Sequence, residues 1–327
     1  MSLATDYASL RERAGIGSIG PRRQIAVAGR DRGSYLQGLL TNDVEALVAG
    51  SGCYAAWLTP QGRMLTDMHV LESGDMILLD LPAEQAEPTF GRLDEFLFGE
   101  DVQLALLDDT LTGVWLHGPA AGTALAMFLP GLDGISAWPS YRSAKSSLQG
   151  EPVVVARIDQ LGVPGFAVYL APALEPSLQT ALREAGAVHV TQDAIEALRI
   201  EAGYPLFGVD MTEDTIPLEA GIETRAVSFS KGCYVGQEVI IRVLHRGHGR
   251  VARRLVGLRV DGTPPASGDR VVAGDREIGS VTSAAQSPRF GAVALGYLHR
   301  DFVEPGTAVR VRSNGGEVSA TVTARAS

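Results

Sequence analysis

Hydrophobic and polar residues follow two different periods along this chain, and the change of period divides it. Up to about residue 245, helical and extended patterns are mixed. Y-A-S-L-R-E-R-A-G (7–15) has helical spacing, and R-Q-I-A-V-A-G (23–29) reads as a strand. Asp31 or Ser34 is placed to cap a helix through Y-L-Q-G-L-L. C-Y-A-A-W-L-T (53–59), the turn P-Q-G and R-M-L-T-D-M-H-V-L (63–71) predict a hairpin, and E-S-G-D turns into a further strand, M-I-L-L-D. A helix over 83–98, strands near 101–107 and 112–117, and a helix opened by Pro119 follow. Residues 131–151, rich in Gly, Ser and Pro, read as a connecting loop. P-V-V-V-A-R-I and G-F-A-V-Y-L form a strand pair, then come a helix over 174–185 and a capped helix, T-Q-D-A-I-E-A-L-R-I-E-A-G, ended by Gly203.

After Gly249 the period becomes two. Six short alternating segments (251–260, 269–274, 276–285, 291–298, 307–312 and 316–324) stand at turn-like spacing and predict a small antiparallel β-barrel. The fold class is therefore α+β: residues 1–245 form a region of two α+β lobes, with a boundary near 110–150, and residues 246–327 form a C-terminal barrel. Neither a phosphate-cradling G-x-x-x-x-G-K-[ST] nor a dinucleotide-binding G-x-G-x-x-G between strand and helix is present.

Composition narrows the function classes. Of 327 residues, 45% are hydrophobic and 20% charged, which supports a sizeable core and argues against disorder. No apolar run reaches the roughly 18 residues of a membrane span. The N-terminus lacks the basic-then-apolar order of a signal peptide. Cys53 and Cys233 are too far apart for a CxxC or zinc-finger spacing, and two free thiols fit a reducing cytoplasm. A net charge of −10 argues against nucleic-acid and membrane partners. The charge is uneven. Within 231–259, Lys231, Arg242, Arg246, Arg250, Arg253, Arg254 and Arg259 face only Glu238, a net +6 that leaves −16 for the rest. This island reads either as an anion site, because arginine grips carboxylates and phosphates with a two-pronged fork, or as a solvated strand face with partner carboxylates elsewhere.

Several residues carry candidate chemistry, each with a plainer alternative. Cys233 follows Lys231 and Gly232; a neighbouring cation favours thiolate, yet cysteine is also a common inert core residue. His245 and His248 lie three apart, but a metal would need further ligands, for which Cys233 is the nearby thiol. Thr66 and Asp67, adjacent on a predicted strand, point to opposite faces. Arg199 and Glu201 are about 200° apart on a helix, and Glu201 sits at its unfavourable C-terminal end, as a ligand-binding or a surface carboxylate.

Taken together, L-R-I-E-A-G-Y-P-L-F-G-V-D (198–210), T-I-P-L-E-A (215–220), K-G-C-Y-V-G-Q-E (231–238), Y-L-Q-G-L-L-T-N-D-V (35–44) and G-C-Y-A-A-W-L-T-P-Q-G-R-M (52–64) resemble the YgfZ family. These are folate-binding proteins related to the glycine cleavage T-protein, an aminomethyltransferase. The resemblance implies three lobes around a central folate cavity, with tetrahydrofolate or a one-carbon derivative as ligand. It also implies support for assembly or repair of iron–sulfur enzymes, with iron–sulfur proteins or their assembly factors as partners. By this resemblance Cys233, Lys231 and Asp67 are the candidate reactive groups, and Glu201, Asn42, Tyr54, Thr66, Arg242 and Gln237 the candidate folate-binding ones. No metal site is implied. T-proteins carry two adjacent aspartates where this chain has Thr66-Asp67, and a threonine hydroxyl cannot act as a base near neutral pH. The expectation is an accessory protein, with aminomethyl transfer lost if Thr66 stands in place of the catalytic aspartate; an aminomethyltransferase or other folate-dependent one-carbon transferase, or an interaction module with an empty cavity, is the rival.

Overall fold

The computed structural model describes residues 2–245, 250–313 and 316–324; the side chain of His245 also lies outside what is described. The chain begins with α1 (Leu3–Glu12), β1 (Gly15–Ile16), β2 (Arg22–Ala28), α2 (Arg32–Leu39), β3 (Ser51–Leu58), β4 (Met64–Glu72), β5 (Met76–Pro82), α3 (Ala83–Glu95) and β6 (Gln103–Leu106). It continues with β7 (Thr112–His117), α4 (Ala121–Ala126), β8 (Ser143–Leu148), β9 (Glu151–Arg157), β10 (Gly165–Leu170), α5 (Glu175–Glu184), β11 (Val188–His189) and α6 (Gln192–Glu201). Three short helices follow: α7 (Pro217–Ala220), α8 (Glu223–Ala226) and α9 (Gln237–His245). The last strands are β12 (Arg253–Val260), β13 (Arg270–Ala273), β14 (Arg276–Ser287), β15 (Gly291–His299), β16 (Ala308–Ser313) and β17 (Gly316–Thr323).

Two sheets and a barrel result. The first sheet has the order β3-β4-β5-β2-β6, the second β11-β1-β7-β10-β9-β8, and the barrel closes as β12-β15-β14-β13-β16-β17. The α+β class and the six-stranded antiparallel barrel both follow the alternation in the sequence. Two differences have physical causes. The stretch expected to be a loop contains β8, whose S-A-K-S-S-L reads as polar because it is an edge strand with only its ends buried. The basic stretch after Gln237, open in sequence to a strand reading, is instead helix α9. Its Q-E-V-I-I-R-V-L is rich in β-branched residues, which weakens the helical signal. The helix is fixed by packing: Ile240, Val243 and Leu244 join a core with Met64, Leu218 and Tyr234.

Both sheets are buried on both faces, and side-chain alternation sorts the residues. Ile25, Val27, Met68, Val70, Leu79 and Leu81 turn outward to a core shared with α2 and α3. Leu116, Val155, Phe166 and Val168 do the same on the second sheet with α4 and α5. The intervening positions, Leu71, Leu78, Trp115, Ala156, Ala167 and Tyr169, meet in the space between the sheets. Charge is carried into that space by Arg22. Its Nε donates to Asp80 at 2.5 Å and its guanidinium also donates to the Asp80 carbonyl, while Gln24 donates to the other Asp80 oxygen at 2.8 Å.

The K-G-C-Y-V-G-Q-E stretch is bound to the first sheet. The Lys231 ammonium donates to the carbonyls of Gln37, Leu40 and Asn42 at 2.6–2.8 Å, supplying donors where α2 ends. Gly236 takes φ +84°, and a Cβ there would lie 2.5 Å from the Thr59 carbonyl, so the loop sits directly on the β3–β4 hairpin tip. Replacing Lys231 by Met should therefore cost about 2 kcal/mol of stability, because carbonyls lose charge-assisted hydrogen bonds. Urea unfolding monitored by circular dichroism would measure it; a midpoint equal to wild type would contradict this role.

Candidate functional site

A cavity of about 310 Å³ opens where the first sheet meets the loop after α6, lined by Arg22, Asp67, Pro82, Tyr204, Leu206, Phe207, Gly208 and Val209 among others. Asp67 stands on β4, on the same face as His69 and Leu71; Thr66 takes the opposite face with Met68 and Val70. Thr66 is wholly buried, and its hydroxyl donates to the backbone carbonyl of Asp67 at 3.2 Å. The carboxylate that points into the cavity is thus the one this chain retains.

Asp67 is 5% exposed. Its Oδ2 accepts a 2.6 Å hydrogen bond from the Tyr54 hydroxyl, while its buried Oδ1 has no partner among the described residues. Burial pushes its carboxyl above the ordinary carboxylate range, with Arg22 and the Tyr54 hydroxyl pulling the other way. Around it lies an aromatic and cationic wall. The Arg225 guanidinium, on α8, lies 4.6 Å from the ring centre of Tyr204 and 5.4 Å from that of Tyr54. His69 is buried beside Tyr54, Trp115 and Tyr141, and its Nε2 lies 3.0 Å from the Gln160 amide nitrogen. Burial, reinforced by Arg22 and Arg225, holds its imidazole well below the usual range, so it is neutral at pH 7. A buried carboxylate with a raised proton affinity and an unpartnered oxygen, beside aromatic rings, can hold or exchange a proton with a bound nitrogen heterocycle.

The other candidate residues divide. Tyr54 belongs to the site. Asn42 supports it from behind: its amide donates to the carbonyls of Tyr54 and Arg225 at 2.8 and 3.0 Å. Glu201 lines a different cleft, with Gly257, Leu258, Arg259 and Phe290 of the barrel, and accepts from the Tyr7 hydroxyl at 2.9 Å. Cys233 is exposed and Lys231 is committed to α2, so neither lines the Asp67 cavity. Among the described residues the Gln237 side chain reaches only the Gly232 carbonyl, at 3.5 Å, and Arg242 pairs with Glu238 on the exposed face of α9. Arg253 and Arg254 pair with Glu219 and Glu223, and Arg259 lies over Phe290. Much of the basic island is therefore a surface with partner carboxylates, on α9 itself and elsewhere in sequence. The His245–His248 pair lies outside the described residues. Among the described residues no group of three or more His, Cys, Asp or Glu side chains is placed to hold a metal. No helix among them is long and apolar enough to cross a membrane.

Sequence reading missed Arg22, His69, Tyr204 and Arg225. His69 carried a signal, two residues from Asp67 on one strand face. Tyr204 lies inside a motif already singled out. Arg22 and Arg225 reach the site through contacts far apart in sequence, which no local pattern marks.

Two packed sheets, a cavity beside the first of them that holds a buried carboxylate, and a closed barrel after them define the class of glycine cleavage T-protein folds. The GCVT N-terminal domain matches residues 1–231, and the glycine cleavage T-protein C-terminal barrel domain matches residues 253–326. The chain belongs to this family. It is 33% identical over 298 residues to an aminomethyltransferase of Rubrobacter xylanophilus, covering 90% of this chain and 79% of that one. It is 30% identical over 331 residues to one from Geobacillus sp., covering 99% and 89%. The glycine cleavage system aminomethyltransferase T from Bartonella henselae superposes with a TM-score of 0.89 at 25% identity, over 99% of this chain and 89% of that one.

These likenesses correct two expectations. The accessory role in iron–sulfur enzyme assembly, with its iron–sulfur partners, is overturned by relatives named aminomethyltransferase, and so is the expectation that the chain is not a classical enzyme of that kind. The physical reason lies in β4. Thr66, on which the expected loss of transfer rests, lies on the face turned away from the cavity, while Asp67 lines it.

Asp67 also predicts a pH signature. With its proton affinity raised on folding, the folded state binds more protons than the unfolded one above the ordinary carboxyl value of 3.8, so stability falls as pH rises through that window. Asp67→Asn removes the penalty. The variant should unfold at a higher urea concentration than wild type at pH 7, with the gap closing toward pH 4; a variant less stable at pH 7 would oppose this reading.

Proposed function

We propose that this chain is an aminomethyltransferase that passes a one-carbon unit from an aminomethylated carrier to tetrahydrofolate. The observation that carries the reading is Asp67, which lines a cavity with Arg22, Tyr204 and Phe207 and whose buried Oδ1 has no partner among the described residues. The residues fit a folate. An unpartnered carboxylate oxygen seeks an N–H donor, and an aromatic wall suits a flat heterocycle. Tetrahydrofolate supplies the nucleophilic nitrogen. Asp67 orients that nitrogen and accepts or returns its proton. Tyr54 holds the second carboxylate oxygen and fixes the rotamer. Arg225, stacked against Tyr54 and Tyr204, adds positive potential beside the carboxylate without an ion pair of its own among the described residues. Neutral His69, packed between Tyr54, Trp115 and Tyr141, fills the interior behind the carboxylate.

Within the family, K-G-C-Y-V-G-Q-E with the following R-x-x-x-R-G supports placement on the YgfZ branch; this concerns lineage, since Cys233 is exposed and no residue of 231–238 lines the cavity. The C1 state of the folate carried between turnovers belongs to the same proposal and is read by mass spectrometry of the purified protein.

The test is direct. Purified protein, aminomethylated lipoyl carrier and tetrahydrofolate are mixed, and methylenetetrahydrofolate and ammonia are followed. Product should form, and Asp67→Asn should lower kcat by about 100-fold or more, the usual scale for losing a positioned acid–base group. No product from the wild-type protein, with the carrier shown competent by another transferase, would sink the proposal.

A further inference from the structure

The cavity wall formed by residues 204–209 is held by the barrel. Asp210 is buried at the end of this wall, with its side chain closed to solvent. Its Oδ2 accepts from Arg199 Nη1 at 2.7 Å and from the Leu206 amide at 3.0 Å. The same Arg199 nitrogen donates to the Tyr204 carbonyl at 2.6 Å. Both ends of the wall are thereby fixed to one ion pair. The other oxygen of Asp210 belongs to the barrel: Oδ1 accepts from the hydroxyls of Thr282, at 2.5 Å, and Ser283, at 2.7 Å, on β14.

Adjacent residues of a regular strand face opposite ways, so two consecutive side chains do not reach one carboxylate. Here they do because β14 is irregular at this point. Val281 pairs with Gly296 and Ser283 with Leu295, leaving Thr282 as the extra residue of a bulge. A bulge re-aims side chains and is found beside functional sites. Thr282 also lies 3.2 Å from the Leu295 carbonyl, which places its hydroxyl between its own sheet and Asp210.

We infer that Thr282 and Ser283 are positioning residues: the bulge in β14 aims two hydroxyls at Asp210, and through Arg199 they set the Tyr204–Val209 wall of the Asp67 cavity. The barrel thus acts on a site to which these two residues contribute no atom. The consequence for activity rests on the transferase reading above; the mechanical coupling does not.

The double variant Thr282→Val, Ser283→Ala removes both hydroxyls. Amide hydrogen exchange, read by mass spectrometry without ligand, should speed up about tenfold in residues 204–211, the scale of a lost buried hydrogen bond, while β12 and β15 keep wild-type rates. Calorimetry with tetrahydrofolate should show an affinity weakened by about tenfold, and Thr282→Ser, which keeps a hydroxyl, should bind as wild type does. Exchange in 204–211 that stays at the wild-type rate, or that rises equally throughout the barrel, overturns the inference. Should the double variant fail to fold, Ser283→Ala alone is measured in the same way, with a smaller rise expected in the same segment and an unchanged rate overturning the inference. Wild-type protein that takes up no tetrahydrofolate would sink the transferase reading alone, and exchange would still decide the coupling.

Discussion

The buried pairing of Arg22 with Asp80 is the constraint on which the interior depends. Two sheets packed face to face close Asp80 off from solvent, and an unpaired charge there would be costly. Asp80 is closed to solvent and takes donors on both oxygens, from Arg22 and Gln24. With that charge satisfied, Arg22 can stand at the edge of the cavity beside Asp67 and limit how far burial raises its proton affinity. The site uses what the interior leaves over: a carboxylate with one oxygen supplied by Tyr54 and one left open.

The same logic separates scaffold from site. Arg199 and Asp210 are saturated with partners, and Asn42 spends its amide hydrogens on two carbonyls. Asp67 is buried with one oxygen left unpartnered among the described residues. In a folded interior, groups of the second kind mark where a ligand belongs. By this measure Lys231, prominent in the sequence, is scaffold, since its ammonium has three carbonyl acceptors.

Much of the fold was legible because alternation is a local property. The six barrel strands and the β3–β4 hairpin announce themselves by period, and Thr66 and Asp67 were correctly set on opposite faces. Which of those faces turns to the cavity was not legible, because it depends on how β4 lies between β3 and β5 and on what covers each side. That one missing fact reversed the functional expectation. Helix α9 was hidden by its β-branched residues and β8 by its polar edge composition. Tyr204 and Arg225 meet Tyr54 only through the closure of the whole chain, which no spacing encodes.

The family's N-terminal domain match stops at residue 231, but the molecule does not divide there. Lys231 closes the end of α2, the Val235 amide bonds the Gly38 carbonyl, and Ile240 packs in one core with Met64 of the hairpin. A fragment cut at that boundary would leave a helix end unclosed and a hairpin flank bare. Residues 231–244 are therefore a strap belonging to the first sheet, and any exchange of barrels between relatives must make its joint beyond them.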